Sequence, residues 1–342
     1  MTDEQRREIA TNPEASLKLR KTIAVEGNLA HVLTERGSEL QRRAVEATQA
    51  AMRKRLAQRP DIADALIPTY GVNCRRPTPG VGYLEALCED NVELAGEGIA
   101  RATARGVVLA DSGREVALDA LVCATGFRAE GLPPFPVRGR GGTSLGARFR
   151  PYPEAYLSMA VDGFPNLFFV LGPNSAIGTG SLTMMLEAEG DYVVRCVRKL
   201  QKEDYASMEV RPRRVADWSA YVDAHFAHTV YSDRCSSWYK NNGGTGDRVT
   251  GLWPGSTLHC MEALRSPRWE DYEWEPLDAE AAANPLRWLG NGWSLTHTPR
   301  PGGAPDECYG DPAWFVESVF RDVPPEGTPE DDPEFKMRPF SH

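Results

Sequence analysis

The feature of this chain that most constrains its fold is a pair of short apolar runs that each end abruptly at a glycine. The run Ala120–Ala124 is followed by Thr125 and Gly126, and the run Asn166–Leu171 is followed by Gly172. Neither run alternates polar with apolar residues, which is typical of strands buried on both faces of a sheet. In open α/β proteins, ligands lie beyond the carboxyl ends of such strands, where glycine lets them approach the backbone. An ordinary tight turn has the same local pattern, so neither run identifies a ligand site alone.

Helical periodicity dominates other parts of the chain. Residues 1–66 contain no strand-like segment and repeat apolar residues at helical spacing, which predicts a helical N-terminal segment. The same spacing predicts a helix from about Ser181 to Leu200 and another over 213–230. Shorter strand-like runs are found at 92–95, 107–110 and 248–258, and 111–114 reads as a turn. The sequence therefore predicts a mixed α/β fold with a helical N-terminus and a loop-rich C-terminus.

Length and charge exclude several classes of protein. A chain of 342 residues is long enough for about two domains, and its net charge of −9 argues against a basic nucleic-acid surface or a polybasic membrane anchor. No apolar run approaches the roughly 18 residues that span a bilayer, and the polar N-terminus lacks the apolar core of a secretory signal. We therefore expect a cytoplasmic protein. The segment 322–334 carries six acidic and no basic residues, which predicts a disordered tail.

The cysteines and histidines do not indicate a metal site. Seven cysteines are scattered without a CxxC pair or a Cys/His cluster at metal-ligand spacing, so we expect reduced thiols and no bound metal. His225 and His228 lie three residues apart on a predicted helix, but without a carboxylate motif a solvated helix face is the simpler interpretation. No histidine accompanies a recognisable nucleophile elbow, so hydrolase chemistry has no support.

Five segments follow one another in an order that resembles a known enzyme family. They are the arginine segment Ile67–Pro77 with Tyr83–Leu87, the ATG segment Asp119–Phe127, the apolar segment Gly163–Asn174, the aromatic segment Ser236–Lys240 and the segment Gly251–Gly255. Their order and spacing resemble those of class B flavin monooxygenases, and Baeyer–Villiger monooxygenases in particular, over about residues 25–265. The resemblance implies an FAD- and NADPH-dependent oxidoreductase that uses O2 to insert oxygen beside a ketone. The product is an ester or lactone, and the implied substrate is a small hydrophobic ketone.

The resemblance assigns roles to residues around NADPH. Arg76 matches the catalytic arginine that stabilises the negatively charged peroxyflavin and orients the nicotinamide, and a permanent cation suits that role because it favours the anion. Arg75 stands where an NADP phosphate contact is expected. Trp238 matches a tryptophan that contacts NADP on a mobile loop. Two alternatives without a role in cofactor binding stay open. The arginines can be ordinary surface charges, and Trp238 can be a packed aromatic side chain.

The resemblance also implies residues near FAD: Thr125, Gly126, Pro173, Asn174 and Ser175. The second apolar run leads into a predicted helix, whose first amides are unpaired and partly positive. Such a helix end can stabilise the electron-rich edge of a flavin.

Two motifs of the family have no counterpart in these 342 residues. No glycine-rich stretch fits GxGxxG, the loop that grips a dinucleotide pyrophosphate, and the FxGxxxHxxxW fingerprint is absent too. We therefore expect the C-terminal part of a flavoprotein with two dinucleotide-binding domains. Residues 1–66 would be the helical insert between those domains, 67–265 the end of the FAD-binding domain, and 266–342 a loop-rich extension with an acidic tail.

Two functions remain open on the sequence. The first is a truncated or split Baeyer–Villiger monooxygenase that needs another half, such as a separate chain, to supply the FAD phosphate-binding loops. The second is a catalytically inactive pseudo-enzyme or binding module on the same scaffold. Homology favours the first function, whereas the missing phosphate loops favour the second for these residues by themselves.

Overall fold

The computed structural model describes residues 1–78, 80–127 and 132–290, and it combines helices with short strands. Within these ranges the α-helices are α1 (Asp3–Thr11), α2 (Pro13–Leu29), α3 (Glu39–Arg55), α4 (Pro60–Leu66), α5 (Tyr83–Ala86), α6 (Leu145–Arg148), α7 (Leu182–Lys202), α8 (Pro212–Ala227), α9 (Thr257–Leu264) and α10 (Ala279–Ala283). The helical N-terminal segment and the helices expected near 181–200 and 213–230 are therefore confirmed.

The first three strands form one small antiparallel sheet in the order β1 (Ile99–Ala102), β2 (Gly106–Leu109) and β3 (Glu115–Ala117). β2 and β3 form a hairpin across the turn at 111–114, in which Val107 lies opposite Val116. The strand-like run at 107–110 and its turn are confirmed. A second sheet has two strands, β4 (Tyr205–Val210) and β5 (Tyr272–Pro276).

The N-terminal helices begin where capping chemistry places them. Thr2 and Gln5 form a reciprocal capping box on α1, and Asn12 accepts hydrogen bonds from the first amides of α2, which has Pro13 at its start. Ser38 caps α3 in the same way. These caps explain why a polar stretch with few buried residues still divides into distinct helices.

Among the described residues, buried apolar side chains form clusters that include the following three. One joins α3, α4 and α5 (Leu56, Ile62, Ala63, Ile67, Leu84), and another surrounds α6 (Leu145, Phe149, Ala155, Val161, Phe164). The third packs α8 against the loops that follow it (Val222, Phe226, Tyr231, Tyr239, Val249, Leu252). This third cluster carries Tyr239 and Val249, which lie beside the candidate site.

The described residues divide into two units. One unit comprises 1–197 and 208–274, and the other comprises 198–207 and 275–342, of which the structure describes residues up to 290. Within the second unit, Arg287 bonds to Asp204 at 2.8 Å and to Asp278 at 3.0 Å. The Arg287–Asp204 pair ties the two segments of that unit to each other, and the Arg287–Asp278 pair lies within the second segment.

The two buried strands expected at 120–124 and 166–171 do not form. Residues 119–127 have no regular structure and are exposed, with Val122 at 86%. Residues 166–171 make one isolated bridge, between Ala160 and Phe168. A parallel strand draws its hydrogen bonds from strands far away in sequence, so apolar residues alone cannot form it. The predictions of strands at 92–95 and 248–258 are likewise wrong. The second of these segments makes only isolated bridges, at Val249 and Leu252.

Three other expectations concern membranes, metals and the tail. Among the described residues, no helix is long and apolar enough to cross a membrane. The same residues contain no group of three His, Cys, Asp or Glu side chains arranged to hold a metal. His225 is partly buried, and burial together with neighbouring histidines lowers its pKa to about 4. The predicted disordered tail at 322–334 lies outside the described residues.

Candidate functional site

The centre of the candidate site is a hydrogen-bonded junction between two motif segments, 172–177 and 249–253. The amide of Asn174 donates to the carbonyl of Thr250 at 2.8 Å, and the amide of Ala176 donates to that of Gly251 at 2.9 Å. Ala176 and Leu252 form a parallel bridge between the same segments. The Gly163–Asn174 and Gly251–Gly255 motifs are thus neighbours in space.

The side chain of Asn174 strengthens this junction. Its Nδ2 donates to the carbonyl oxygens of Val249 at 2.9 Å and Leu252 at 3.1 Å. The backbone carbonyl of Asn174 accepts from Ser158 Oγ at 2.7 Å. Asn174 is buried and has a φ of 60°, a left-handed conformation that asparagine tolerates better than most residues. We conclude that Asn174 shapes the turn and faces the protein interior.

The turn before Asn174 is tight and keeps some backbone amides free. A Cβ on Gly172 would lie 2.1 Å from the carbonyl oxygen of Ser158, so only glycine fits there. Pro173 and Ser175 are buried, and Ser175 Oγ donates to the carbonyl of Gly172 at 2.6 Å. Within the described residues, the N–H groups of Gly172 and Ser175 have no hydrogen-bond acceptor. Unpaired amides of this kind are potential donors to a ligand.

A buried carboxyl supports the turn from α7. Glu189 is fully buried, and its Oε2 accepts a hydrogen bond from the amide of Leu171 at 2.9 Å. Leu171 itself has a φ of 59°, which costs a bulky residue conformational energy. Burial raises the pKa of Glu189 to about 7, and the Leu171 hydrogen bond opposes that rise. Its Oε1 is buried without a hydrogen-bond partner in the described part of the chain.

Arg76 lies beside this junction. Its Nη2 donates to the carbonyl of Ile177 at 3.0 Å, and its Nε lies 3.5 Å from the hydroxyl of Tyr239. Both partners are uncharged, and across residues 1–78, 80–127 and 132–290 no carboxylate forms an ion pair with Arg76 or Arg75. Arg75 and Arg76 are exposed. Arg76 is therefore an oriented cation whose charge is not neutralised.

Trp238 lies next to the residue that contacts Arg76. Its side chain is 48% exposed, and its ring centroid is 4.7 Å from that of Tyr239 in an edge-on arrangement. The backbone carbonyl of Tyr239 accepts hydrogen bonds from the amides of Thr250 and Gly251, both at 2.9 Å. The aromatic segment, the Arg76 loop and the turn at 172–177 thus meet at one place.

The expectation of reduced thiols throughout is wrong for two cysteines. Cys74 and Cys235 form a disulfide, whereas Cys88, Cys123, Cys196 and Cys260 are free. Sequence spacing gave no sign of the pair because 161 residues separate its members. Both cysteines belong to loops that the fold brings together.

Thr125 and Gly126 are not part of this cluster. They lie in the exposed segment 119–127, and in the described residues no hydrogen bond joins them to another predicted site residue. Gly126 has a φ of 86°, and a Cβ built on it would touch nothing within 4 Å. The structure thus brings Arg76, Trp238 and the turn at 173–175 together and leaves the ATG segment apart.

Sequence reasoning missed three residues that support the site. Glu189 had a signal: on α7 it falls in helical register with buried Met185, Tyr192 and Cys196. Tyr239 stands inside the aromatic segment without having been assigned a role. Asp233 had no signal, because its partners Arg36 and Gly71 are distant in sequence.

Comparison with curated proteins finds relatives among flavin enzymes. The chain is 36% identical over 332 residues to the FAD-binding monooxygenase stcW of Emericella nidulans, covering 94% of this chain and 53% of stcW. It is 33% identical over 208 residues to a Baeyer-Villiger monooxygenase of Pseudomonas aeruginosa, covering 60% of this chain and 39% of that protein. No family model matches the chain. The chain spans about half the length of the curated relatives it matches.

Comparison with solved structures finds a similar fold in flavin monooxygenases. Cyclohexanone monooxygenase from Rhodococcus sp. Phi1 bound to NADP+ matches with a TM-score of 0.63 at 24% identity, over 71% of this chain and 46% of that one. An oxidized steroid monooxygenase bound to NADP matches with a TM-score of 0.59 at 24% identity, over 71% of this chain and 47% of that one. At this identity the likeness shows the fold alone.

These comparisons bear out the resemblance that the motif order indicated, which is to flavin-dependent monooxygenases. The chain is related to FAD-binding monooxygenases, Baeyer–Villiger monooxygenases among them, along about half of their length. Its mixed fold matches part of the fold of these enzymes.

Asn174→Ala tests whether the Asn174 side chain holds the junction. The change leaves two buried carbonyl oxygens without their donor and puts alanine at a positive φ, so we expect a loss of about 2–4 kcal/mol in the free energy of unfolding. Urea denaturation followed by circular dichroism measures this loss. Asn242→Ala is the matched control, because Asn242 has a φ of 53° but is exposed. We expect the control to lose about 1 kcal/mol, and equal losses in the two variants would contradict the role of the side chain.

Glu189→Gln tests the buried carboxyl. Because the pKa of Glu189 is about 7 in the folded protein and near 4.5 when unfolded, the folded state binds more protons between these values. The free energy of unfolding contributed by this group therefore falls as the pH rises from 4.5 to 7. Glutamine keeps the oxygen that accepts the Leu171 hydrogen bond and has no proton to titrate. The free energy of unfolding of the variant should therefore exceed that of the wild type by up to about 3 kcal/mol at pH 8 and by little at pH 4.5.

Urea denaturation at pH 4.5, 6, 7 and 8 measures this difference between variant and wild type. Glu187→Gln, an exposed change on the same helix, is the control and should follow the wild type at every pH. A Glu189→Gln curve parallel to that of the wild type would show that the carboxyl does not titrate in this range.

Proposed function

We propose that these residues form the C-terminal half of an FAD- and NADPH-dependent monooxygenase of Baeyer–Villiger type. In this proposal, residues 1–66 are the helical insert of the family and 67–265 are the end of the FAD-binding domain. Residues 266–342 are a loop-rich extension with an acidic tail. The reaction is insertion of oxygen from O2 next to a ketone, which gives an ester or lactone.

The observation that carries the proposal is the position of Arg76. Its guanidinium is held by the Ile177 carbonyl and lies beside the Tyr239 hydroxyl, and neither of these groups neutralises its charge. An oriented and uncompensated cation next to a glycine turn suits an anion that develops during a reaction. Arg76 thus acts as the catalytic cation and as a contact for the nicotinamide.

The neighbouring groups fit parts of both cofactors. The unpaired amides of Gly172 and Ser175 can donate to the electron-rich edge of a flavin, and the adjoining Pro173 and Asn174 shape that turn. Exposed Arg75 and Trp238 suit the phosphate and the flat rings of NADPH. When bound, FAD would supply the redox chemistry that links NADPH to O2.

The FAD pyrophosphate has no matching loop in this sequence, so we assign its binding to a partner half. That half is either a preceding segment or a separate chain. The exposed apolar side chains of Leu121, Val122 and Phe127 support a docking surface for it around the ATG segment. Docking would convert 119–127 into a strand and bring Thr125 and Gly126 to FAD. The substrate class, a small hydrophobic ketone, and the cytoplasmic location belong to the same proposal.

FAD binding with and without the partner half tests whether that half supplies the site for the FAD pyrophosphate. We expect the purified chain alone to bind FAD weakly or not at all, because no loop grips the pyrophosphate. A chimera joining it to the part of stcW that the chain does not match should bind FAD and turn yellow. Equilibrium dialysis and the flavin absorption spectrum measure both.

Two outcomes would contradict the proposal. Micromolar or tighter FAD binding by the chain alone would show that the phosphate loops are not needed. A folded chimera that binds NADPH but no FAD would instead favour the alternative, a catalytically inactive binding module on this scaffold.

Arg76→Ala in the chimera tests the catalytic cation. Loss of a charge-assisted contact worth roughly 1.5–3 kcal/mol should lower oxygenation about tenfold or more, whereas FAD stays bound through its pyrophosphate. Arg76→Lys should restore activity only in part, because an ammonium lacks the guanidinium fork. The measurement is product formed per NADPH consumed, with bound FAD determined in parallel.

Arg105→Ala provides the control for Arg76→Ala, since Arg105 is an exposed arginine in the turn between β1 and β2. It should leave product per NADPH unchanged. If Arg76→Ala also left this ratio unchanged, Arg76 would have no part in the reaction.

A further inference from the structure

The loops that carry Arg76 and Trp238 are covalently joined. Cys74 lies two residues before Arg76 and Cys235 three residues before Trp238, and the two cysteines form a disulfide across 161 residues of chain. Both are buried, and both lie outside helices and strands. We infer that the Cys74–Cys235 pair is a redox-dependent clamp that holds the Arg76 loop onto the Trp238 loop. This inference concerns the two loops themselves and does not rest on the proposed function.

Polar contacts converge on the same place. The carboxylate of Asp233, two residues before Cys235, accepts from the amide of Gly71 at 2.9 Å and from Nε of Arg36 at 2.9 Å. The buried ammonium of Lys240 donates to the carbonyl of Asp233 and, at 3.2 Å, to that of Cys235. The loop after α8 is therefore held in a fixed shape that receives the Arg76 loop.

Before Cys74, the Arg76 loop is also held by the side chain of Gln41, which pairs with the amide and the carbonyl of Val72, both at 3.0 Å. From Cys74 to Pro77, the hydrogen bonds to other segments come from the Arg76 side chain and the Cys74 sulfur. The described residues of this loop between α4 and α5, 67–78 and 80–82, form no helix or strand, and in one of their turns the amide of Cys74 donates to the carbonyl of Gly71 at 3.1 Å. The hydrogen bond from Arg76 to Ile177 is exposed, and exposed hydrogen bonds compete with water. The crosslink is thus the covalent tie between this loop and the Trp238 loop, and it lies two residues from Arg76. Breaking it should free Arg76 while the buried clusters stay packed.

The chemistry of opening balances with a dithiol reductant. One thiolate of the reductant attacks one cysteine sulfur, breaks the S–S bond and releases the other sulfur as a thiolate. The second thiol of the reductant then attacks the mixed disulfide and releases the first cysteine sulfur. This leaves two cysteine thiols and an oxidised, cyclic disulfide form of the reductant. Two electrons and two protons pass to the protein in total. Because both sulfurs are buried, the attack requires local opening of the loops.

Thiol counting tests whether the pair is bonded. Protein purified without reductant is denatured in an alkylating agent, and its intact mass is compared with that of protein reduced first. We expect the unreduced protein to carry two fewer alkyl groups, with the linked peptides mapping to Cys74 and Cys235. Equal alkylation of both samples would overturn the inference.

Limited trypsin digestion tests the clamp. Trypsin cleaves between Arg75 and Arg76 but not before Pro77, so cleavage after Arg75 reports the freedom of this loop. Cleavage after Arg105, in the exposed turn between β1 and β2, is the internal reference. Reduction should raise the ratio of Arg75 to Arg105 cleavage about tenfold or more, since a local opening exposes only the local segment.

Variants separate the clamp from general loss of fold. The double variant Cys74→Ser, Cys235→Ser should give the high ratio with and without reductant, and Cys123→Ser, at an exposed free cysteine, should follow the wild type. An unchanged ratio on reduction, or equal acceleration at Arg75 and Arg105, would overturn the clamp. Neither readout involves FAD, NADPH or turnover, so failure of the proposed monooxygenase activity is distinguished from failure of this inference.

Discussion

The hydrogen bonds between the segments 174–176 and 249–253 support every part of the candidate site. They fix the turn that starts at Gly172, and through Ile177 they fix the carbonyl that holds Arg76. They also fix Tyr239, because its carbonyl accepts from two amides of the same segment. A change at Asn174 therefore acts on the turn, the cation and the aromatic segment together, without touching any of their reactive groups.

How much of this could be predicted depends on where each element finds its hydrogen bonds. Helices α7 and α8 satisfy their own backbone, so the spacing of their apolar residues was sufficient to predict them. The run 120–124 has equally strong strand character, yet its partners must come from elsewhere, and in the described residues none pairs with it. Local sequence reports the preference of a strand and not the presence of its neighbours.

The same distinction applies to the site. Motif order grouped Arg76, Trp238 and the turn at 173–175, and the fold brings these near each other. The contacts that position them come from Asp233, Glu189 and the Cys74–Cys235 bond, which connect residues distant in sequence. A single sequence holds no record of such pairs. Only Glu189 stood out in principle, as a carboxyl on the buried face of an amphipathic helix.

The way in which Arg76 is held separates it from the structural arginines of this protein. Arg148 and Arg248 each form ion pairs with two carboxylates, so their charges are neutralised within the protein. Arg76 is oriented by a carbonyl and a nearby phenol, groups that direct the guanidinium plane without cancelling its field. An arginine that only stabilised the fold would gain more from a carboxylate partner. The neutral partners leave its charge available to an anion that arrives from outside the described residues, and the crosslink at Cys74 keeps that charge in place until it does.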